Sequence, residues 1–400
     1  MIRLLLGGSP CTHWSIAQKN GRETEPNSGL GWELFLNYKI ALEKYKPDYF
    51  LYENNKSASQ AIKDEIARQF GFPLTYINSA LVSAQNRERF YVHNWECPQP
   101  EDRGFLLRDV LDGTTDREKA RTVLSSIGRT TTREYFIKSQ NTMAYEPVLI
   151  QYPRGKNNGG AIYDKAPTIT SNSWQTNVKA VEPVAVDLQV VGRKRNEDGV
   201  FERSWEARTD GKSSCITTVE SRRMVAEPLC YATPCEWDEN GRPTKAISFA
   251  DGKTYTVYEV KGGIITIKGK QYPIKLPDGY YIIRKLTVKE CKRLQTIPDW
   301  YEFPVSDTQA YKMIGNGWTV EVIKHLLSHI PNIQNEEIEV LSMYDGMSCG
   351  QIALREMGCN ITKYYATEID KYAIQTTLHN FPNTIQLGDA FQVRDNGWRL

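Results

Sequence analysis

Three things are scarce in this chain, and each scarcity removes a class of protein. Net charge is nearly absent: 50 Lys and Arg against 48 Asp and Glu leave +2. No global field attracts a polyanion, so any nucleic-acid contact must concentrate its cations locally. Long apolar runs are absent. Leu4-Leu5-Leu6 is too short a run for a signal peptide, and nothing approaches the ~20 residues of a membrane span, which leads us to expect a soluble cytoplasmic protein without a membrane partner. Paired cysteines are absent too. The eight cysteines, Cys11, Cys97, Cys215, Cys230, Cys235, Cys291, Cys349 and Cys359, include no CxxC. Cys230 and Cys235 lie loosely together with no histidine nearby, so no metal is expected, and the usage fits a reducing compartment. Four hundred residues imply two or three domains with a large core.

What is present is organised around Leu4-Leu5-Leu6-Gly7-Gly8-Ser9-Pro10-Cys11. The apolar run reads as a buried strand, and the glycines and proline stop it. Cys11 stands in the turn; taken alone it reads as a small residue packed there. An amphipathic helix follows between Gly31 and Lys46, closed by Pro47. A second strand, Tyr49 to Tyr52, ends in Glu53-Asn54-Asn55, and a helix over Ser57 to Phe70 is closed by Gly71 and Pro73. Leu74 to Ala80 reads as a third strand or edge, and Phe90-Tyr91-Val92 as another strand after Gln85-Asn86-Arg87-Glu88-Arg89. Strand, helix, strand, helix, strand argues for a parallel sheet covered on both faces, with ligands at the carboxyl ends of its strands. Cys11 and Glu53 sit at such ends.

From about Glu96 the alternation gives way to short β-like runs. Two segments, Lys165 to Ser171 and Lys212 to Thr218, look like imperfect copies of one β-hairpin element, and Gly155 to Gly160 reads as a loop. The basic clusters Arg193-Lys194-Arg195 and Arg222-Arg223 are interleaved with Trp174, Phe201 and Trp205, the mixture of cations and rings that a nucleic-acid groove uses. Regular structure returns near Leu286, with Thr287 and Glu290 spaced for a capping box. Gly315-Asn316-Gly317-Trp318 precedes another amphipathic helix. After a linker over 330–337, a βαβαβ unit opens at Ile338. It has a small-residue turn, Tyr344-Asp345-Gly346-Met347, after its first strand, and carboxylates at the next two strand ends, Glu368 and Asp389. That pattern suits an adenosine-containing cofactor and does not separate a dinucleotide from S-adenosylmethionine.

Together these pieces resemble the C5-cytosine DNA methyltransferases. The resemblance rests on Gly8-Ser9-Pro10-Cys11, Glu53-Asn54, Gln85-x-Arg87-x-Arg89, Arg284-x-Leu286-Thr287 with Arg293-Leu294-Gln295, and Gly315-Asn316. Tyr344-Asp345-Gly346 and Trp318 look most like the eukaryotic de novo branch and its phage-encoded relatives, and Asn55 stands where the family usually has valine. The order of the pieces departs from the family, whose cofactor half precedes the cysteine block. The chain therefore resembles a circular permutant, a relocation that termini in a surface connection tolerate.

The resemblance implies a Rossmann-like, circularly permuted α/β methyltransferase sheet with a smaller, mostly β target-recognition domain. The expected domains are 1–95 (catalytic half), 96–304 (target recognition) and 305–400 (cofactor half). Cys11 is then the nucleophile that attacks C6 of a flipped cytosine, Glu53 the acid at N3 and Arg89 the donor to O2. Ser9, Pro10, Asn54, Gln85 and Arg87 are expected around the base. S-adenosylmethionine is expected against Tyr344, Asp345, Gly346, Met347, Glu368, Ile369, Asp389, Ala390, Pro10, Leu34, Asn316, Gly317 and Trp318. Arg193, Lys194, Arg195, Arg222 and Arg223 are expected to contact double-stranded DNA, on which the protein is expected to act as a monomer in a bacterial or phage-infected cell. An RNA (tRNA) methyltransferase and a catalytically inactive DNA-binding relative are the competing readings. The size of the middle segment favours DNA, because reading sequence needs surface in the major groove.

Overall fold

The computed structural model describes residues 1–10, 13–14, 21–112, 115, 117–138, 141–151, 178–179, 188–195, 201–207, 230–248 and 253–398. They form two compact units. The first joins both ends of the chain, residues 1–112, 117–143 and 285–400; the second holds 113–116 and 144–284. Of the segment expected as 96–304, residues 96–112, 117–143 and 285–304 thus fall in the first unit. Among the described residues, no helix is long and apolar enough to cross a membrane.

In the first unit the strands are β1 (Ile2–Gly7), β2 (Tyr49–Asn55), β3 (Thr75–Asn78), β4 (Glu88–His93), β5 (Glu337–Met343), β6 (Asn360–Thr367) and β7 (Ile385–Gly388). They lie in the order β7-β6-β5-β1-β2-β4-β3. The distant ends of the chain meet at the centre: β1 pairs in parallel with β5 from Ile2 opposite Ile338 to Gly7 opposite Met343. Leu4, Leu5 and Leu6 are all fully buried, as a strand covered on both faces requires. The wholly parallel sheet expected from the alternation is corrected at one place, since β4 runs antiparallel to both β2 and β3. Residues 79–87 between β3 and β4 hold only a short turn of 3₁₀-helix, Ser79–Leu81. Without a crossover helix two successive strands pair antiparallel.

Helices α1 (Gly29–Tyr45), α2 (Gln60–Phe70), α3 (Thr132–Lys138), α4 (Val288–Leu294), α5 (Asp307–Asn316), α6 (Val320–Ser328), α7 (Cys349–Glu356), α8 (Lys371–Asn380) and α9 (Ala390–Asp395) complete this unit. α1 buries Trp32, Phe35, Tyr38, Ala41 and Tyr45, one helical stripe, and ends at Lys46 in the left-handed region. α2 starts after Ser59, whose hydroxyl accepts the Ile62 N–H, and buries Ile62, Ile66 and Phe70 before Gly71 caps it. The two stripes meet through rings: Phe35 and Phe70 lie 5.5 Å apart edge to face, and Tyr38 lies 5.1 Å from Tyr52 of β2. The capping box of α4 forms as spaced, Glu290 N–H on Thr287 Oγ1 and Thr287 N–H on Glu290 Oε2.

The second unit is mostly β. Strands Pro243–Ser248, Cys230–Trp237, Met143–Gln151, Gly279–Lys285, Thr254–Lys261, Ile264–Ile267 and Lys270–Pro273 neighbour one another in that order. Pro243–Ser248 also pairs with Thr254–Lys261, so five strands close on themselves and hide their edges. Leu188–Arg195 and Phe201–Ala207 form a separate hairpin. Both expected hairpin copies and the Gly155 to Gly160 loop lie outside the described residues.

Candidate active site

The site is built where β1, β2 and β4 end or begin. Beyond β1 the chain passes so close to β2 that a Cβ on Gly8 would lie 2.5 Å from the Glu53 carbonyl oxygen. Only glycine fits there. Ser9 is then held inside: its hydroxyl lies 2.7 Å from Tyr52 Oη, and Asn54 Nδ2 donates to the Ser9 carbonyl at 2.9 Å. Pro10 is exposed, and Cys11 lies outside the described residues. The far side of the loop is fixed by buried Trp14, whose indole N–H donates to Glu23 at 3.1 Å.

Strand register brings the next two groups together. Asn55 of β2 stands opposite Arg89 of β4, which makes Glu53 the diagonal neighbour of Arg89 on the same face. Their side chains pair, Arg89 Nε to Glu53 Oε1 at 3.0 Å, both 12% exposed. The other carboxylate oxygen accepts the Trp318 indole N–H at 3.0 Å. Glu53 is thus clamped between a guanidinium and an indole, beside the loop that leads to Cys11. Asn55, where valine was the expected residue, accepts the Ser57 N–H at 3.0 Å and opens the turn to α2.

Gln85, Arg87 and Asn54 are buried and hydrogen-bonded within the protein, Asn54 to Ser9. Arg87 donates to the carbonyls of Val123, Gly315 and Gly317, the last at 2.8 Å. Gln85 accepts from the Val123 N–H and donates to Leu294 O and Gln295 Oε1, while Gln295 donates to Ile314 and Gly317 and accepts from Thr319. The interior polar atoms need these partners. The result is that the Gly315-to-Thr319 turn, and with it Trp318, is held at a fixed position over Glu53. Gln85 and Arg87 are buried just before β4 begins, whereas Arg89, one residue into the strand, reaches Glu53.

The second half of the site lies after β5, β6 and β7. Tyr344 and Gly346 take left-handed conformations in the turn after β5. The Tyr344 hydroxyl donates to the Leu34 carbonyl at 2.9 Å, tying the turn to α1; Leu34 itself is buried. Asp345 accepts from the Tyr364 hydroxyl through Oδ1 at 2.9 Å, while its buried Oδ2 has no hydrogen-bond partner. Burial pushes the Asp345 carboxyl up to about 6, against the Tyr364 hydrogen bond that pulls it down. Glu368 Oε2 accepts the Gly346 N–H, and Oε1 accepts those of Ile369 and Asp370, all at 2.8 Å. The Ile369 side chain stands 76% exposed beside it. Asp389 caps α9, accepting the Phe391 N–H at 2.9 Å, and Ala390 is buried. Met347 is buried, and a Cβ on Gly317 would meet Cys349 Sγ at 3.1 Å and Met347 Sδ at 3.4 Å. Asn316 is exposed at the end of α5.

A model of the C-5 cytosine-specific DNA methylases matches residues 1–332. The chain belongs to that family. This methylase is 24% identical over 392 residues to the orphan methyltransferase M.SPRI of Bacillus phage SPR, covering 82% of each protein. Over 372 residues it is 22% identical to the type II methyltransferase M.HgiCI of Herpetosiphon aurantiacus, covering 81% of each. A solved structure, the Dnmt2 methyltransferase of S. pombe, aligns with 83% of this chain and 78% of its own at 14% identity and a TM-score of 0.31. The expected family, with a phage-borne relative, is therefore found.

The methylase's expected DNA contacts fall in the second unit. Arg193, Lys194 and Arg195 lie on strand Leu188–Arg195, with Arg193 opposite Arg203 in the hairpin register. Arg222 and Arg223 lie outside the described residues. Two participants went unnoticed in the sequence, Tyr52 and Gln295, which act through contacts with residues distant in the chain. The only signal available was their position inside or beside family blocks. Trp318, expected against the cofactor, has its indole N–H on Glu53.

Proposed function

We propose that this methylase transfers a methyl group from S-adenosylmethionine to C5 of a cytosine flipped out of double-stranded DNA, with Cys11 as the nucleophile toward C6. The observation that carries the reading is the Glu53 carboxylate clamped by Arg89 and Trp318 at the glycine-enforced contact with the Cys11 loop. C5 of cytosine is a poor nucleophile; addition of the Cys11 thiolate at C6 gives it enamine character, and charge then develops on the ring. Glu53 would place a proton or hydrogen bond at N3, and Arg89 would present its remaining guanidinium donors to O2. Neither group can reach a stacked base, so the base must leave the duplex first, at a cost of a few kcal/mol.

The donor set after β5 and β6 fits S-adenosylmethionine. The unpartnered Asp345 Oδ2 suits a cationic amino group, one Glu368 oxygen has a lone-pair site left for a ribose hydroxyl, and exposed Ile369 offers an apolar face to adenine. Asp389, with one oxygen on its own helix cap, would take the adenine amino group. The cofactor supplies an electrophilic methyl on a sulfonium; the chain's own residues bind and orient it. We further propose that the chain is a circular permutant of the family order, a reading supported by the adjacency of β1 and β5 and by a family match that stops before β5 begins.

The test is trapping. Fluorine at C5 cannot leave as a cation, so DNA with 5-fluorocytosine in varied contexts should give a denaturant-resistant adduct that requires S-adenosylmethionine. Cys11→Ser should abolish the adduct while cofactor binding persists. No adduct in any context, with the cofactor bound, rejects the DNA reading, and tRNA is then the substrate to try. An adduct that survives Cys11→Ser rejects the nucleophile.

A further inference from the structure

Away from the catalytic residues, three soft or borderline ligands converge that the cysteine spacing gave no reason to expect. Cys97 follows β4, and His325 and His329 lie one turn apart at the C-terminal end of α6. One ligand atom from each lies within 4.8 Å of the others, and all three residues are half-buried. Cys97 Sγ is 3.5 Å from His329 Nδ1, and the imidazole centroids are 4.8 Å apart.

We infer that Cys97, His325 and His329 form a site for one thiophilic divalent ion of the Zn²⁺ class. A thiolate and two imidazoles are the ligand types that Zn²⁺ takes, and a tetrahedron with bonds of about 2.3 Å to sulfur and 2.0–2.1 Å to nitrogen has edges of about 3.3–3.6 Å. Closing the present cluster therefore takes side-chain movement, which half-buried side chains allow. Each ring already has the outer hydrogen bond that ligating histidines use. His325 Nε2 lies 2.8 Å from the Pro98 carbonyl, which can only accept, so Nδ1 keeps a lone pair. His329 Nδ1, the ring atom 3.5 Å from Cys97 Sγ, also lies 2.8 Å from the His325 carbonyl, so ligation through Nε2 with that bond kept requires the ring to turn about its Cβ–Cγ axis. The backbone around the ligands is braced independently: Trp95 donates its indole N–H to Leu326 O at 2.9 Å and lies 4.8 Å from His93.

With three side-chain ligands the fourth position goes to water. Binding exchanges the Cys97 thiol proton for the metal–sulfur bond and changes no oxidation state. The ion would tie the segment after β4 to the end of α6, from which the chain runs directly into β5. Its role is that of a staple between the catalytic residues and the cofactor half, on helix α6 whose other end follows Trp318.

The test uses the untagged full chain, stripped with a chelator and desalted, titrated with ZnCl₂ by calorimetry and with Co²⁺ by absorption spectroscopy. One Zn²⁺ per chain is expected, with a higher thermal midpoint. Co²⁺ should give four-coordinate ligand-field bands and a thiolate charge-transfer band. Cys97→Ser should remove that band, and it and His329→Gln should each weaken Zn²⁺ at least about tenfold. The metal-free midpoints of both variants report folding separately. Absence of saturable one-to-one uptake by the unsubstituted chain overturns the site, as does a charge-transfer band that survives Cys97→Ser.

Discussion

Replacing Trp318 by Phe separates two roles that its position allows. Phenylalanine keeps most of the ring and its packing but removes the N–H that reaches Glu53 Oε2 at 3.0 Å. A hydrogen bond to a charged group contributes about 1.5–3 kcal/mol. Arg89 still holds the other oxygen, 3.0 Å away, so the carboxylate keeps its charge partner and the loss belongs at the lower end, about 1.5–2 kcal/mol. If that difference is felt in the transition state, single-turnover methyl transfer falls roughly 10–30-fold. The assay is rapid-quench transfer of labelled methyl to DNA at saturating cofactor, run beside cofactor titration by calorimetry. Trp318→Phe should slow the chemical step and leave cofactor affinity within about twofold. An unchanged single-turnover rate with a weakened cofactor would refute the reasoning and return Trp318 to the cofactor pocket.

Other outcomes follow from the same geometry. Gly8→Ala drives a Cβ against the Glu53 carbonyl, so it should abolish adduct formation and lower the thermal midpoint, whereas Gly71→Ala, strained only by its own left-handed φ of 74°, should cost stability alone. Burial raises the Asp345 carboxyl from 3.8 to about 6. Between about pH 4 and 6 the folded chain keeps a proton there that the unfolded chain has lost, so this group's contribution to stability falls as pH rises through that window and is level above it. The midpoint of Asp345→Asn relative to the parent should therefore improve from pH 5 to 7 and then stay constant; a difference flat across pH would exclude the shift. Asp389→Asn keeps a good N-cap and Asp389→Ala does not, so only the alanine should lose about 1 kcal/mol of stability, while both weaken S-adenosylmethionine in calorimetry. Neutralising Arg193, Lys194 or Arg195 should reduce the salt slope of DNA binding by about one unit for each side chain that meets a phosphate, and an unchanged slope would remove that residue from the interface.

The strand ends were legible because local chemistry and topology agree there. Apolar runs closed by glycine or a carboxylate marked β1, β2, β5 and β6, and the spacing of Ile62, Ile66 and Phe70 marked α2. The antiparallel β4 was passed over: direction depends on the connection, and residues 79–87 are too few for a crossover helix, a signal that the alternation of strands and helices before them obscured. Glu53 and Arg89 were singled out by family resemblance, but their contact required the β2–β4 register. The hydrogen bonds of Gln85 and Arg87 were not legible either, because their partners, Val123, Leu294, Gln295, Gly315 and Gly317, lie far away in the chain. The cluster of Cys97, His325 and His329 was invisible for a similar reason, since its ligands come from segments far apart in the chain.

The pairing of β1 with β5 has a consequence for synthesis of the chain. At about 5–20 residues per second, roughly 15–65 s separate the emergence of these two strands. Throughout that interval Leu4, Leu5 and Leu6 have β2 on one side and an unpaired, wholly apolar edge on the other, the arrangement most prone to recruit a foreign strand. The second unit has most of its residues, 144–284, in one continuous stretch and can close meanwhile. The first unit must wait for its last strands, so the nascent chain passes through a stage in which the centre of its future sheet is an open edge.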